Sequence, residues 1–373
     1  MKSPKLLIVK PDHLGDFAVT LPVIWECVQR FGRENIVLFV SRPNGHWEKL
    51  LPWMPRLIEV HHSRYARPSA PRRRFPIFFP LPPTPGPAPL PQPLPQPESA
   101  SGLLTAFSLM MKGTGFTHGI ELTSSRHDPW GKLWLYAAGA GWRSGLEGKF
   151  DFLLNHNEKH DLGTGHQRNR MALRFPQEWG ITGDSDPALF MPEAFRHRPS
   201  AVSGEILVAP FAGQTAKEWS PQKWRDLIIR LRPSVGKRTV TILVGPDRGG
   251  NGLDLARISG LPDHVLFVPK TIGETLERLA GAAAVVTLDT AVAHYAWLTG
   301  TPTVQIFAGT TDPSRWAAAG ALRSGTVLTL DPPPPCAPCR LAVCDQTGHP
   351  CMERIGVNAV LTALGKLTPL IPA

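Results

Sequence analysis

The 373-residue sequence lacks several features that identify common protein classes. It has no stretch of the ~20 uncharged apolar residues that a membrane-spanning helix needs. The opening residues, MKSPKLLIVK, are not followed by the small-residue cleavage site of a signal peptide, so we expect a first β-strand and a cytoplasmic protein. A G-x-x-x-x-G-K-[ST] motif is missing, which excludes P-loop enzymes. No G-x-G-x-x-G follows the first apolar run, which disfavours NAD binding.

Acidic residues are outnumbered by basic ones, 30 against 40, and the net charge is +10. No recognisable nucleic-acid-binding motif accompanies this charge, so we expect no nucleic acid partner. Apolar residues make up 42% of the chain, which is enough for sizeable cores. The length suggests about two domains.

Proline is concentrated in one segment, where thirteen of the thirty residues from Pro68 to Pro97 are proline. Such density prevents helices and inner strands, because proline fixes φ and lacks an N–H donor. Five arginines and no acidic residue lie between Ser63 and Pro97. We interpret residues 63–100 as an insertion. It is either a solvated loop, a contact with anionic lipid headgroups, or a proline-rich ligand for a partner domain.

Short apolar runs alternate with helical patterns on both sides of this insertion, which predicts parallel sheets with crossover helices. The predicted strands are Leu6–Val9, Ile36–Val40, Leu57–Val60, Gly119–Leu122, Ile206–Ala209, Val240–Val244, Val265–Val268, Ala284–Leu288 and Thr303–Phe307. The predicted helices are Phe17–Phe31, His46–Met54, Leu103–Met111, Trp130–Ala138, His166–Trp179, Pro221–Leu231, Gly273–Gly281 and Asp289–Leu298. A polar linker at about Pro192–Gly204 separates two Rossmann-like units, and ligands should bind at the carboxyl ends of their strands.

The loop after the first strand, Lys10-Pro-Asp-His-Leu-Gly-Asp16, ends where a helix should begin. Asp16 is therefore either a helix N-cap or a general base that deprotonates a hydroxyl group. Gly15 allows the backbone to approach a ligand closely.

Two further loops contain groups suited to phosphate. The loop from Gly213 to Lys217 carries hydroxyl and ammonium groups after a strand, although Lys217 could also be an ordinary surface lysine. The predicted helix at Asp289 should leave the amides of Thr290, Ala291 and Val292 unpaired, as a site for a diphosphate. Asp289 could equally be only a cap, and His294 only a packed side chain.

Taken together, these loops resemble those of glycosyltransferase family 9, the ADP-heptose:lipopolysaccharide heptosyltransferases. The matching stretches carry -DHLGD-, G-x-x-x-K-x-W, D-T-x-x-x-H and GTPTVQIF in the family's order, and they are Asp12–Pro22, Gly213–Trp224, Leu288–Ala296 and Gly300–Trp316. The resemblance covers nearly the whole chain apart from the insertion.

The resemblance implies an α/β fold of the GT-B type, with two Rossmann-like lobes whose parallel sheets face a central cleft. Residues 1–195 would form the acceptor-binding lobe and include the insertion. Residues 204–352 would bind the nucleotide-sugar, and residues 353–373, with a helix at Val357–Leu367, would pack back on the N-terminal lobe.

The family's activity is inverting sugar transfer, with heptose from ADP-heptose as the leading donor and a glycolipid of the lipopolysaccharide core as acceptor. No metal is required, and contact with the cytoplasmic face of the inner membrane would be peripheral. By similarity Asp16 is the base, with Gly15 and His13 on the acceptor side. The residues implied at the donor are Gly213, Thr215, Lys217, Asp247, Asp289, Thr290, Ala291 and His294. The alternatives are a family member using another nucleotide-sugar and a non-catalytic binding protein with the same fold.

The sequence departs from the family pattern in three places. Ala291 stands where the family usually has glycine, and Glu121 where it usually has aspartate. The proline-rich insertion occupies the place of an acceptor-binding segment. These departures concern the identity of the donor and acceptor more than the fold.

Four of the five cysteines lie within sixteen residues, at Cys336, Cys339, Cys344 and Cys351. Four thiolates in a short loop can hold a structural zinc ion, but the spacing is not that of paired C-x2-C motifs. Free or redox-active thiols and disulfides are the alternatives, and a cytoplasmic location disfavours disulfides.

Overall fold

The structure of the protein, a computed structural model, describes residues 3–60, 99–124, 129–158, 165–198, 204–234, 239–245, 248–261, 265–318 and 325–368. Apart from residues 99 and 100, the predicted insertion lies outside these ranges. The candidate ribose ligand Asp247 lies outside them as well.

The first lobe alternates strands and helices as the sequence predicts. Its elements are β1 (Leu6–Lys10), α1 (Leu14–Ala18), α2 (Leu21–Phe31), β2 (Ile36–Val40), α3 (Trp47–Leu50), β3 (Arg56–Glu59), α4 (Ser99–Met111), β4 (His118–Glu121), α5 (Trp130–Ala137), β5 (Trp142–Leu146), β6 (His156–Glu158) and α6 (Gln167–Ala172).

The second lobe repeats this alternation. Its elements are β7 (Ile206–Ala209), α7 (Pro221–Ser234), β8 (Val240–Leu243), α8 (Gly249–Ile258), β9 (Leu266–Phe267), α9 (Ile272–Gly281), β10 (Ala284–Leu288), α10 (Ala291–Thr299), β11 (Thr303–Ile306), α11 (Pro313–Trp316), β12 (Gly325–Leu328), α12 (Pro350–Glu353) and α13 (Val357–Leu367). Among the helices of the described residues, none has the length and apolar character needed to cross a membrane.

Each lobe contains one six-stranded sheet, and the strands pair in parallel. The order is β3-β2-β1-β4-β5-β6 in the first sheet and β12-β11-β10-β7-β8-β9 in the second. The strand order reverses between β1 and β4 and between β7 and β10, and ligands of such sheets bind outside the carboxyl ends at these points. The predicted α/β architecture of two Rossmann-like lobes is confirmed.

Several element bounds differ from the sequence prediction for local reasons. The helix expected at Phe17–Phe31 is two helices, because Pro22 cannot donate to the preceding turn and clashes with it. The helix expected at His166–Trp179 ends at Ala172 and is followed by a separate 3₁₀ turn at Gln177–Trp179, after Pro176. Strands β5, β6 and β12 and helix α8 were missed, and β6 is a three-residue polar strand without an apolar pattern.

The apolar core between the lobes is continuous. One buried cluster joins Phe17 and Trp47 of the first lobe to Ala293, Tyr295 and Trp297 of α10. The rings of Trp47 and Tyr295 meet edge to face, with centroids 5.8 Å apart. The lobes are therefore held together by the packing of apolar side chains.

The final helix packs against the second lobe, so the expectation that it packs on the N-terminal lobe is wrong for residues Val357–Leu367. Helix α13 contacts α7 and strands β10, β11 and β12. Val360, Ala363 and Leu364 lie on one face of the helix and are buried in the core of that lobe. The apolar face of α13 finds its partner in the nearby sheet, so the second lobe extends to Leu367.

We expect Leu364→Ala to lower the free energy of unfolding by ~2–5 kcal/mol, because the side chain is fully buried and its removal leaves a cavity. Urea denaturation measures this loss. Thr362→Ala, at an exposed position of the same helix, serves as the control and should change stability by less than ~0.5 kcal/mol. Equal effects of the two substitutions would contradict the packing of α13.

Candidate active site

The two lobes meet where helix α1, directly after β1, contacts helix α10, directly after β10. A Cβ atom placed on Gly15 would lie 3.1 Å from Cδ2 of His294 and 3.2 Å from Cα of Ala291. Only a residue without a side chain fits this approach without displacing its neighbours. Asp16, the next residue, is thereby placed beside the N-terminus of α10.

Asp16 lies in the first turn of α1, whose N-cap residue is His13. The interpretation of Asp16 as a helix cap is therefore wrong. Burial raises the pKa of the Asp16 carboxyl, and the carboxylate of Asp12 raises it further, while Lys10, His13 and Lys217 oppose both effects. A carboxylate with a raised pKa is a stronger base than an ordinary aspartate, as proton abstraction from a hydroxyl group requires.

A buried ion pair that the sequence interpretation missed holds the loop before Asp16. The ammonium group of Lys10 contacts the Asp12 carboxylate and donates to the carbonyl of Leu122, at 2.9 Å, beyond the end of β4. The same carboxylate accepts the N–H of Ser124 at 3.2 Å. The sequence contains one signal of this ion pair, since Lys10 ends the otherwise apolar strand LLIVK. A lysine is rarely buried without a partner.

Lys217 and Asp289, two residues expected at the donor, form an ion pair in the second lobe. The Nζ atom of Lys217 lies 2.5 Å from Oδ2 of Asp289, and the two side chains are 21% and 6% exposed. Lys217 is thus not an ordinary surface lysine. Asp289 is not the cap of α10 either, since Thr290 occupies that position. A partly exposed ammonium group with a carboxylate partner can transfer its interaction to an incoming anion.

The N-terminus of α10 has no side-chain cap, although Thr290 is the cap residue. Backbone amides at such a terminus, together with the helix dipole, favour an anion. Ala291 begins the helix, and its backbone lies against Gly15. Ala291 stands where the family usually has glycine. The alanine is accommodated because the residue has a helical backbone conformation.

His294 is buried one turn further along α10. Burial, assisted by the charge of Lys217, lowers its pKa to about 3, so the imidazole is neutral at neutral pH. Its Nδ1 atom has no hydrogen-bond partner among the described residues. His166, which the sequence interpretation did not single out, shows the same behaviour from the first lobe. Burial, Arg168 and His294 lower its pKa to about 3, and its buried Nε2 has no partner in the described structure.

The loop that carries Lys217 is supported by the cysteine-rich segment, residues 336–351. The N–H of Ala216 donates to the carbonyl of Ala342 at 3.1 Å, and the hydroxyl of Thr215 lies 3.4 Å from the same oxygen. The ring of His349 contacts the carbonyl of Ala216 at 2.9 Å. Gly213, in the same loop, is exposed and has open space at its Cβ position.

A second buried ion pair fixes the start of this loop. Arg248 donates to Oε1 of Glu218 at 3.0 Å and to the carbonyl of Ala212 at 3.2 Å. The sequence interpretation missed both charged residues. Their contacts link the loop after β7 to the start of α8.

The cysteines of the segment are not joined by disulfide bonds in the structure. Burial raises the pKa of the Cys351 thiol. The backbone of Gly309 opposes this shift, and the other three cysteines, Cys344, Cys339 and Cys336, add to it. Within the described ranges, no three His, Cys, Asp or Glu side chains form a group that could hold a metal ion.

Glu121, the second departure from the family pattern, is a buried structural residue at the end of β4. Its Oε1 accepts the hydroxyl of Thr123 at 2.6 Å. A Cβ atom on Gly131 or Gly145 would lie 2.8 or 2.6 Å from the Glu121 side chain. The longer carboxylate therefore fits because its neighbours on α5 and β5 are glycines.

We expect Asp16→Asn to raise the free energy of unfolding at pH 7. The folded-state pKa of Asp16 lies above its ordinary value of 3.8, so the ionised carboxyl opposes folding once the pH exceeds both values. The gain should shrink as the pH falls and vanish below the ordinary pKa, where both states are protonated. Urea denaturation across this pH range measures it, with Asp226→Asn at an exposed position as control. A stability loss at pH 7 would contradict the raised pKa.

We expect Gly15→Ala to destabilise the protein by ~1–3 kcal/mol, because the added methyl group crowds the backbone of Ala291. Gly281→Ala is the matched control, since its Cβ position in α9 is open. That substitution should stabilise by up to ~1 kcal/mol through helix propensity. The same sign for both variants in thermal or urea unfolding would argue against the close contact of α1 with α10.

Residues 133–346, more than half of the chain, match the family model of glycosyltransferase family 9 (heptosyltransferase). No curated protein sequence matches significantly. A family 9 glycosyltransferase from Veillonella parvula superposes with a TM-score of 0.72 at 14% identity, covering 98% of both chains.

Two Escherichia coli structures share the same fold. ADP-heptose lps heptosyltransferase II has a TM-score of 0.65 and 16% identity over 97% of this chain and 98% of that one. Heptosyltransferase WaaC with ADP has a TM-score of 0.63 and 19% identity over 97% and 99%. The two lobes therefore form a GT-B fold. With the family match covering most of the second lobe, the chain belongs to glycosyltransferase family 9, the heptosyltransferase family, and is a glycosyltransferase.

Proposed function

We propose that the protein is an inverting glycosyltransferase that moves heptose from ADP-heptose onto a glycolipid of the lipopolysaccharide core or a related bacterial surface glycan. The observation that carries this proposal is the contact of Gly15 with α10. Asp16 follows Gly15 in the chain, and Lys217 of the other lobe is close enough to influence the pKa of its carboxyl.

The groups in this arrangement have separate roles during transfer, namely proton removal from the acceptor and stabilisation of the leaving group. Asp16 takes the proton of the acceptor hydroxyl as that oxygen attacks the anomeric carbon. The departing diphosphate gains negative charge, which Lys217 and the amides of Thr290 and Ala291 stabilise. One base on the side opposite the leaving group is sufficient for inversion, and no covalent intermediate is needed.

The positive charge needed by the leaving group comes from the protein itself. Lys217 is 21% exposed and already lies in an ion pair with Asp289, so a diphosphate can become its new partner. We therefore propose that no metal ion is required, and that transfer persists in the presence of EDTA. His294, neutral because of its lowered pKa, can bond the donor sugar or phosphate without adding charge.

The choice of ADP-heptose is supported by the similar proteins. One is named an ADP-heptose lps heptosyltransferase and another is described with ADP. In this chain the acceptor side would include His13, which is exposed at the start of α1, and Gly15. A glycolipid acceptor would place the protein at the cytoplasmic face of the inner membrane, in peripheral contact.

Calorimetry and a transfer assay test the proposal together. We expect ADP to bind more tightly than UDP, GDP or CDP, and Lys217→Ala to weaken ADP binding by ~10–100-fold, since it removes a charged hydrogen-bond donor. Asp16→Asn should reduce transfer by ~10²–10⁴-fold while ADP affinity stays within about threefold, because it removes only the base.

The matched control is Lys366→Ala, at an exposed position of α13, which should leave ADP binding and transfer unchanged. Tighter binding of another nucleotide would mean that the donor carries that nucleotide instead of ADP, and the proposed glycosyltransferase activity would stand. Undiminished transfer by Asp16→Asn would show that Asp16 is not the base. Absence of binding by all four nucleotides would overturn the donor site.

A further inference from the structure

We propose that His166 of the first lobe and His294 of the second lobe together bind one hydroxyl group of a sugar substrate, either the donor or the acceptor. His294 is already among the residues proposed at the donor, whereas His166 adds a contact from the opposite lobe. The inference rests on the proposed function and deepens it, because it concerns recognition of the sugar itself and not of the diphosphate.

The two histidines are neighbours across the contact between the lobes. His166 is the N-cap residue of α6, and His294 lies within α10. His294 contributes to the lowered pKa of His166, which requires the two rings to be close. Further along both helices, the guanidinium of Arg168 lies over the ring of Trp297, 5.2 Å from its centroid. Helix α6 therefore lies along α10, and the histidines lie on the sides of these helices that meet.

Each ring buries one nitrogen atom that has no partner among the described residues, Nε2 of His166 and Nδ1 of His294. The other nitrogen of His166 is engaged, because the N–H of Arg168 donates to Nδ1 at 3.4 Å. Burial lowers the pKa of His166 to about 3, so the ring is neutral at neutral pH and its single ring proton is on Nε2. Nε2 is thus a buried donor without an acceptor, which destabilises the free protein.

A hydroxyl group matches these two nitrogen atoms better than an anion does. Its oxygen can accept the N–H of His166. Because a hydroxyl both donates and accepts, it also satisfies Nδ1 of His294 in either tautomer of that ring. Burial and the charge of Lys217 lower the pKa of His294 to about 3, so neither ring offers the positive charge that strengthens a hydrogen bond to phosphate or carboxylate.

The contact of Gly15 with α10 places this pair beside the loop of the proposed base. A Cβ atom on Gly15 would lie 3.1 Å from Cδ2 of His294, and Asp16 is the next residue in the chain. A sugar hydroxyl bound by the two histidines would therefore fix the orientation of the sugar near Asp16, and such orientation lowers the barrier to transfer. His166 would hold the sugar and would take no part in proton transfer.

Two substitutions separate the Nε2 donor from the rest of the His166 side chain. His166→Asn keeps a side-chain oxygen that can accept the N–H of Arg168 as a helix cap, but it has no donor at the position of Nε2. His166→Gln is long enough to keep an N–H donor near that position. We expect the asparagine variant to keep the urea unfolding midpoint of the unaltered protein, because the lost donor has no partner among the described residues.

Calorimetry with ADP and ADP-heptose (or with the nucleotide that binds most tightly and its sugar conjugate) and a transfer assay with the core glycolipid measure the effect. We expect His166→Asn to leave nucleotide affinity within about twofold and to weaken recognition of one sugar by about three- to tenfold, as loss of one hydrogen bond does. Weaker binding of the nucleotide-sugar assigns the hydroxyl to the donor. A raised KM for the glycolipid at unchanged donor affinity assigns it to the acceptor. His166→Gln should restore recognition to within about twofold.

The matched control is His156→Asn, at an exposed position of β6, which should change none of these quantities. The inference is overturned if His166→Asn weakens the bare nucleotide as much as the nucleotide-sugar, which would indicate a phosphate contact, or if it changes the binding of no ligand. A loss of stability together with all binding would show a structural role and overturns it as well. Failure of the proposed function gives a different result, because the unaltered protein would then bind no nucleotide and transfer no sugar, and this inference would fail with it.

Discussion

The close approach of Gly15 to the N-terminus of α10 is the constraint on which the candidate active site depends. A Cβ at this position would lie 3.2 Å from Cα of Ala291, so the loop of one lobe touches the helix of the other almost backbone to backbone. Beneath the contact, Trp47 and Tyr295 join the apolar cores of the lobes. The groups that would act on the acceptor and on the leaving group therefore share one small region although they belong to different sheets.

The charges in this region are arranged in pairs that differ in exposure. Lys10 and Asp12 are fully or nearly buried, and they hold the loop before Asp16 in one conformation. Lys217 and Asp289 are paired as well, but the ammonium group remains partly exposed. The Lys10–Asp12 pair has a structural role, because a buried charge that loses its partner destabilises the folded protein. The second can exchange partners when an anion arrives. Burial lowers the pKa values of His294 and His166, so both side chains are neutral at neutral pH.

The two lobes support the site in different ways. In the second lobe the cysteine-rich segment contacts the loop of Lys217 through Ala342 and His349, so this loop is held by residues more than a hundred positions further along the chain. In the first lobe the Lys10–Asp12 ion pair and the carbonyl of Leu122 hold the loop before Asp16.

The sequence by itself determined the alternation of strands and helices, because apolar periodicity is a local property. Strands β2, β7 and β10 have the predicted bounds, and the loops of Asp16, Lys217 and Asp289 follow the expected strands. Local patterns could not reveal β6, which is short and polar, or the Lys10–Asp12 pair, whose other partners lie beyond β4. Only the tertiary structure decided that α13 packs on the second lobe and that Gly15 meets Ala291. Such choices depend on which surfaces fit together, and residues far apart in the chain form those surfaces.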